Sequence, residues 1–244
     1  MRVVAERALN RLRFAVLYPG RRLRLLGARK LQGVTGSKVF CIGRNKTGTT
    51  SLQTFFSTAG FRVAPQWQGE RLIHQSSFSP DDNFWRWIDR YEVFQDAPFS
   101  WTWFLPLLIS RYPDALYILS TRDEEEWLES LINHHYEHLK LPRNASNKEL
   151  IAKMQTDSYI AVGYMYEAHV KQYGEPTEEP MYGREKLLTA FRQHNSTARA
   201  LLPETQLLEI NIAGSASSSP ICEFLGLPSN FSGRMPRENV RRGD

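Results

Sequence analysis

Apolar residues fall along this chain in two rhythms. Continuous runs bounded by turn residues, at 39–42 and 115–120, predict strands covered on both faces. Shorter runs at 61–64, 92–95 and 206–212 predict three more strands. Between the runs the apolar positions recur at helical spacing. Leu52, Phe55 and Phe56 open one such pattern, and helices are predicted at 83–91, 101–112, 124–138, 147–173, 184–202 and 219–225. Pro106 sits near the start of the third of these or kinks it, and Asp123 is a natural N-cap for the fourth. Residues 66–82 read as an irregular polar segment, and the tail from Pro228 is polar and basic.

Strands alternating with helices predict an α/β fold of three layers, a mainly parallel central sheet flanked by helices. Ligands in such folds bind outside the carboxyl ends of the strands. Gly43, Asp96 and Arg122 each follow a predicted strand, so the chemistry is expected where those three emerge.

The first of these places is the most informative. The apolar run breaks at Gly43 into the polar loop Arg44-Asn-Lys-Thr-Gly48, and a helical pattern follows. Backbone N–H groups at a helix start lack intrahelical partners and sit at the positive end of the helix dipole, so an anion docked there gains several donors at once. Gly43 and Gly48 have the G-x-x-x-x-G spacing that lets the backbone approach a phosphate, and Thr49, Thr50 and Ser51 add hydroxyls. A nucleoside-triphosphate loop would carry Lys directly after the second glycine. Here Thr49 holds that position and the lysine lies inside the loop, at Lys46. A second anchor is Arg122 with Ser130: two helical turns keep both on one side, where a guanidinium and a hydroxyl can grip one phosphate.

Composition narrows the class. With 244 residues, 41% hydrophobic and 23% charged, the chain suits one large domain over 37–244 preceded by a basic arm or helix over 1–36. Two cysteines, Cys41 and Cys222, cannot build a disulfide framework, and a reducing, cytoplasmic compartment is the default. The net charge of +5 is uneven. Residues 1–46 hold twelve Lys/Arg against Glu6, so that segment carries +11 and the remainder −6. A nucleic-acid partner is not expected, since no basic folded face with a known motif is present. The arm is too short and too charged to span a bilayer, and its first serine, Ser37, comes too late for a transit peptide. It is expected either as a helix beside the domain or as a peripheral membrane contact.

The loop RNKTGTTS resembles the phosphosulfate-binding loop of the sulfotransferases, in particular the bacterial-type branch written GRNKTGTTSL. The likeness extends from about Val39 to Val240 through QDAPF, YPDALYILSTRDEEEWLESL, FRQHN, ICEFLGLP and Pro236-Arg-Glu-Asn239. It implies a P-loop-like fold and sulfuryl transfer from 3′-phosphoadenylyl sulfate (PAPS) to a hydroxyl of a glycan, lipid or small molecule. It also implies that Arg44, Lys46, Thr47, Gly48, Thr49, Thr50 and Ser51 hold the 5′ end, and Arg122 with Ser130 the 3′-phosphate. Lys46 is expected at the bridging oxygen of the leaving phosphate, which removes the need for a metal.

The acceptor hydroxyl needs a base. Asp96 is the first candidate, because DAPF stands where cytosolic sulfotransferases carry a catalytic His, and Glu70 and His74 are alternates. The RKG-type phosphate loop of the cytosolic sulfotransferases is not visible near the end of the chain, so the resemblance carries no nucleotide-closing role to Arg237, Arg241 or Arg242. A P-loop small-molecule kinase and a non-catalytic nucleotide-binding protein are the competing readings. His134, His135 and His138 could be metal ligands but read more simply as a polar helix face, and five tryptophans between Trp67 and Trp103 suit core packing or an aromatic platform equally.

Overall fold

The run at 39–42 divides its side chains between two cores. In the computed structural model, which describes residues 19–28, 37–176, 180–212, 214 and 217–236, it forms strand β1 (Val39–Cys41). Val39 and Cys41 point into a core with Leu52, Phe55, Phe56 and Ile118, while Phe40 and Ile42 point into another with Phe94, Phe99, Tyr117 and Leu119. Period-two alternation within a continuous apolar run is what a strand covered on both faces requires. Phe40 stacks on Phe94 at 4.9 Å and on Tyr117 at 5.7 Å. Each such buried ring is worth roughly 1.5–3 kcal/mol.

β1 is flanked by β2 (Val93–Gln95) and β3 (Leu116–Thr121), and β4 (Leu207–Asn211) extends the sheet beyond β3. The order is β2-β1-β3-β4 and every pairing is parallel. All four strands therefore end on the same edge.

The helices are α1 (residues 19–28), α2 (Thr49–Ala59), α3 (Gln66–Gln75), α4 (Asp82–Ile88), α5 (Leu105–Arg111), α6 (Glu124–Leu139), α7 (Asn147–Thr156), α8 (Tyr164–Tyr173), α9 (Arg184–Leu201) and α10 (Ser219–Phe224). α6 starts where its sequence says it should. Asp123 Oδ1 accepts from the amides of Glu125 and Glu126, and three glutamates occupy the positive first turn. Pro106 lies in the first turn of α5, after a single 3-10 turn (Thr102–Phe104), where its missing N–H costs nothing.

Three expectations need correction. Residues 61–64 make only one parallel bridge, Val63 to Val93, because the chain leaves the sheet at once at Pro65. The polar segment after it is helical, as α3: Gly69, Glu70 and Ile73 bury one side of it, and a buried carboxylate hid that face from a hydrophobic reading. The long helix at 147–173 is two helices, α7 and α8. Asp157 Oδ1 accepts from the Tyr159 amide, and Gly163 at φ +82° starts the second helix.

Of the arm, residues 19–28 are helical and packed. Leu25 is fully buried in the core of Phe55 and Phe56, and Arg22 pairs with the Glu92 carboxylate and donates to Gly60 O at 3.3 Å. Pro19 and Gly20 are the first described residues of this helix. Residues 1–18, 29–36 and 237–244 lie outside the described residues, and with them Arg237, Arg241 and Arg242. Among the described residues no helix is long and apolar enough to cross a membrane.

The phosphate-loop start is set by the approach of β1 to β3. A Cβ at Gly43 would collide with Ser120, including its backbone nitrogen at 2.7 Å. Gly43→Ala should therefore destabilise the fold by about 1–3 kcal/mol, read as a lower urea midpoint at unchanged slope. An unchanged midpoint would mean that the two strands can part without cost.

Candidate active site

At the shared strand edge the elements surround a cavity of about 1040 Å³. The loop after β1 forms its floor, the turn after β2 supplies Asp96, and the end of β3 with α6 supplies Arg122 and Ser130. α3 contributes Glu70, and α8 with the residues before it brings Tyr159, Tyr164 and Tyr173.

The loop is held by its carbonyls and side chains. His194 Nε2 lies 2.7 Å from Ile42 O, Trp127 Nε1 donates to Asn45 O at 3.0 Å, and Arg122 donates to Lys46 O at 3.3 Å. Thr47 Oγ1 donates to Arg44 O and pairs with Ser120 Oγ, both at 2.6 Å. Helix α9, the loop itself, helix α6 and the end of β3 thus take hold of the carbonyls of residues 42, 44, 45 and 46. The turn ends with Gly48 at φ +103°, a conformation that disfavours side chains, and the N-cap of α2 has no side-chain cap. The first turn of α2, Thr49 to Ser51, opens onto the cavity.

Such a turn could receive an anion, and three observations bear on that. A Cβ at Gly48 would be strained and would strike Ile212 at 2.7 Å. Trp101 Nε1 and Tyr173 Oη are buried in the wall as donors without hydrogen-bond partners among the described residues, whereas the unpartnered Asn45 Oδ1 and the Nδ1 of neutral His169, whose Nε2 donates to Met181 O, are acceptors. Lys46 and Arg122 are the cationic lysine and arginine of the described lining. His135 and His169 do not add to that charge, because burial first, and for His135 its neighbouring histidines, keep their imidazoles neutral.

Two carboxyl groups share the interior. Asp96, at φ +62°, accepts from Thr49 Oγ1 at 3.0 Å and from the Ala97 amide at 2.9 Å. Its pKa is raised by burial, against the pull of those hydrogen bonds and of Lys46. Glu70 accepts from Tyr164 at 3.0 Å and Tyr159 at 3.2 Å. Burial, and then the negative charge of Asp96, push its pKa up to about 8.

The expected site residues separate accordingly. Lys46, Thr47, Gly48, Thr49, Thr50, Ser51, Glu70, Asp96, Arg122 and Ser130 all line the cavity. Arg44 does not: its guanidinium is buried behind the loop, donating to Gln172 at 2.8 Å and Thr102 at 3.1 Å beneath the Tyr173 ring. Its neighbour Thr102 also meets His194, so Arg44 braces the loop from the core instead of facing the ligand. His74 also lies outside the lining, 3.1 Å from Glu167 on the surface.

The three clustered histidines line the cavity, yet among the described residues no group of three potential ligands is arranged to hold a metal. Trp101 is the member of the tryptophan set on the cavity wall, whereas Trp87 and Phe84 pack in the core behind it. Sequence reasoning missed Tyr159 and Tyr164. The available signal was the Gly163 break, which turns them from residues on a continuous helix into a loop and a new helix start.

A family model described as Sulfotransferase domain matches residues 38–243. No curated protein matches the chain. Among solved structures the chain is similar to the crystal structure of a sulfotransferase from Alicyclobacillus acidocaldarius, at 17% identity, covering 85% of this chain and 88% of that one with a TM-score of 0.55.

The Glu70 carboxyl has a thermodynamic signature. The folded protein keeps its proton up to about pH 8, whereas the unfolded chain loses it near the ordinary value of 4.5. The folded state holds more protons across that window, so stability falls as pH rises through it and levels above it. Glu70→Gln should remove this slope, gaining a few kcal/mol on the parent between about pH 5 and about pH 9, at about 1.4 kcal/mol per pKa unit. Urea unfolding of both proteins at both pH values measures it; a constant difference between them would disprove the buried proton.

Proposed function

The chain belongs to the sulfotransferase family, and we propose that it transfers the sulfuryl group of PAPS to a hydroxyl of a glycan, lipid or small-molecule acceptor. The observation that carries this reading is the pairing of Lys46, inside the loop, with Arg122 and Ser130 across one cavity. A donor phosphorylated at both ends needs two anion sites, and a lysine inside the loop suits a leaving phosphate better than a γ-phosphate.

In this mechanism the first-turn amides of α2, with Thr49 to Ser51, receive the 5′-phosphosulfate, while Arg122 and Ser130 fix the 3′-phosphate. Arg122 also donates to Lys46 O, so engagement of one anion site stiffens the other. Lys46 stabilises the charge that gathers on the bridging oxygen as the sulfur–oxygen bond breaks. The acceptor oxygen forms the new bond to sulfur in line, and its proton passes to a carboxylate.

We assign that proton to Glu70. Its pKa of about 8 lies near the working pH, where a general base is most effective, and it faces the cavity between two tyrosines. Asp96 is tied to the loop helix through Thr49 and to its own turn through the Ala97 amide, whereas the two partners of Glu70 are tyrosines of the acceptor side. Asp96 then serves as the negative neighbour that keeps Glu70 basic, and as a tie between β2 and the loop helix. Trp101, Tyr159, Tyr164 and Met165 give the acceptor side an aromatic and apolar lining, suited to the face of a sugar or to a hydrocarbon.

Adenosine 3′,5′-bisphosphate should raise the melting temperature by linkage, and ATP with Mg²⁺ should do so far less. The reverse order would favour a kinase. Lys46→Ala should cut labelled-sulfate transfer by about 10²–10³-fold with folding retained, and Arg122→Ala should weaken bisphosphate binding about tenfold or more.

The parent rate should climb with pH to a plateau above about 8, as Glu70 loses its proton. Glu70→Gln should lose that limb with about 10²–10⁴ of the rate, and Asp96→Asn should move the limb to lower pH. A variant Glu70→Gln with the parental profile would return the role of base to Asp96.

A further inference from the structure

α3 has a second working face. Gln66 and Glu70 look into the reaction cavity, while Trp67, Gln68, Arg71 and Leu72 line a separate groove of about 680 Å³ against Asn83, Arg86, Trp87 and Arg90. We infer that this groove between α3 and α4 binds an anionic carbohydrate chain, one bearing carboxylate or sulfate groups on its sugar rings.

Charge is the first reason. The groove holds three arginines and no acidic residue, in a part of the chain whose net charge outside residues 1–46 is negative. Among the described residues Arg71 and Arg90 have no carboxylate partner, and Arg86 is held only by Asn83 Oδ1 at 2.8 Å and Asp82 O at 3.3 Å. A guanidinium left without a counter-charge is a ready fork for a carboxylate or sulfate.

Shape and hydrogen bonding supply the second. Trp67 is 51% exposed, a large ring with no packing role to explain it, and lies one helical turn from Arg71. Arg86 on α4 and Arg90 in the turn after it line the facing wall. Gln68 Oε1 accepts from Trp87 Nε1 at 3.0 Å and Tyr91 Oη at 3.5 Å, which leaves its amide nitrogen to donate. The groove thus presents donors, positive charge and one aromatic face, complementary to an anion-bearing, hydroxyl-rich chain.

A membrane surface would call for several protruding apolar side chains, but Trp67 protrudes alone, Trp87 being buried and Leu72 half-buried. Single-stranded nucleic acid would call for successive aromatic platforms, and one exposed ring is present. The groove and the reaction cavity are separated by the thickness of α3, about 10 Å.

The test is calorimetric titration of the full chain with oligogalacturonate, without nucleotide. A neutral cello-oligosaccharide, a single-stranded oligonucleotide and phosphatidylglycerol-containing vesicles are the other arms. Oligogalacturonate should bind saturably and more weakly as salt rises. Trp67→Ala should weaken it severalfold and the combined Arg71→Ala, Arg86→Ala, Arg90→Ala variant about tenfold or more. Both variants should keep the melting shift given by adenosine bisphosphate, which certifies their fold and the separateness of the two sites. Equal binding by the neutral sugar, undiminished binding by the triple variant, or arginine-dependent binding of vesicles or oligonucleotide without the oligosaccharide would each overturn the assignment. Because no donor is present, those outcomes leave sulfuryl transfer untouched, and an inactive enzyme would leave the groove untouched.

Discussion

The grip on the loop between β1 and α2 is what the rest of this molecule depends on. A phosphate cradle works only if its backbone is fixed before the anion arrives, since ordering it at the moment of binding would cost affinity. Here the carbonyls of residues 42, 44, 45 and 46 each accept from His194, Thr47, Trp127 or Arg122. Those donors come from α9, the loop itself, α6 and the end of β3. The cradle is therefore the meeting point of the sheet and two layers of helix, and the buried Arg44–Thr102–His194 chain ties it to the core as well.

The same convergence sets the electrostatics. The cavity proposed to take the anionic donor also contains Glu70 and Asp96, which would repel it if both were ionised. Burial resolves the conflict by keeping a proton on Glu70 near neutral pH, while Asp96 is satisfied by Thr49, an amide and the field of Lys46. With His135 and His169 neutral, Lys46 and Arg122 are the positive side chains of the described lining, Arg122 being shared with Glu126 at 3.2 Å. One cation stands in the loop and the other at the end of β3, so the proposed donor, phosphorylated at both ends, would find a partner for each end.

α3 illustrates how one short helix can serve two surfaces. At 100° per residue, neighbours such as Glu70 and Arg71 fall on different faces. One face carries a carboxyl group too buried to stay ionised, and the other an arginine too exposed to be paired. Neither face is conventionally apolar, which is why residues 66–82 carry no visible helical period and read as an irregular stretch.

Much of the architecture was legible without coordinates. The buried runs at 39–42 and 115–120, the Asp123 cap and the glycine loop with its displaced lysine are local signals, written in consecutive residues because strand burial, capping and tight turns act over a few positions. They fixed the α/β class and named the loop, Arg122 and Ser130, which the fold brings to one cavity.

Tertiary structure decided what depends on residues far apart in the chain. Arg44 sits in the loop motif but turns into the core because Gln172, Thr102 and Tyr173 await it there. Glu70 gains its proton only because Tyr159, Tyr164 and Asp96 converge on it from three other segments. A side chain's direction and charge state are set by burial and neighbours, and a linear sequence records neither until the chain has closed on itself.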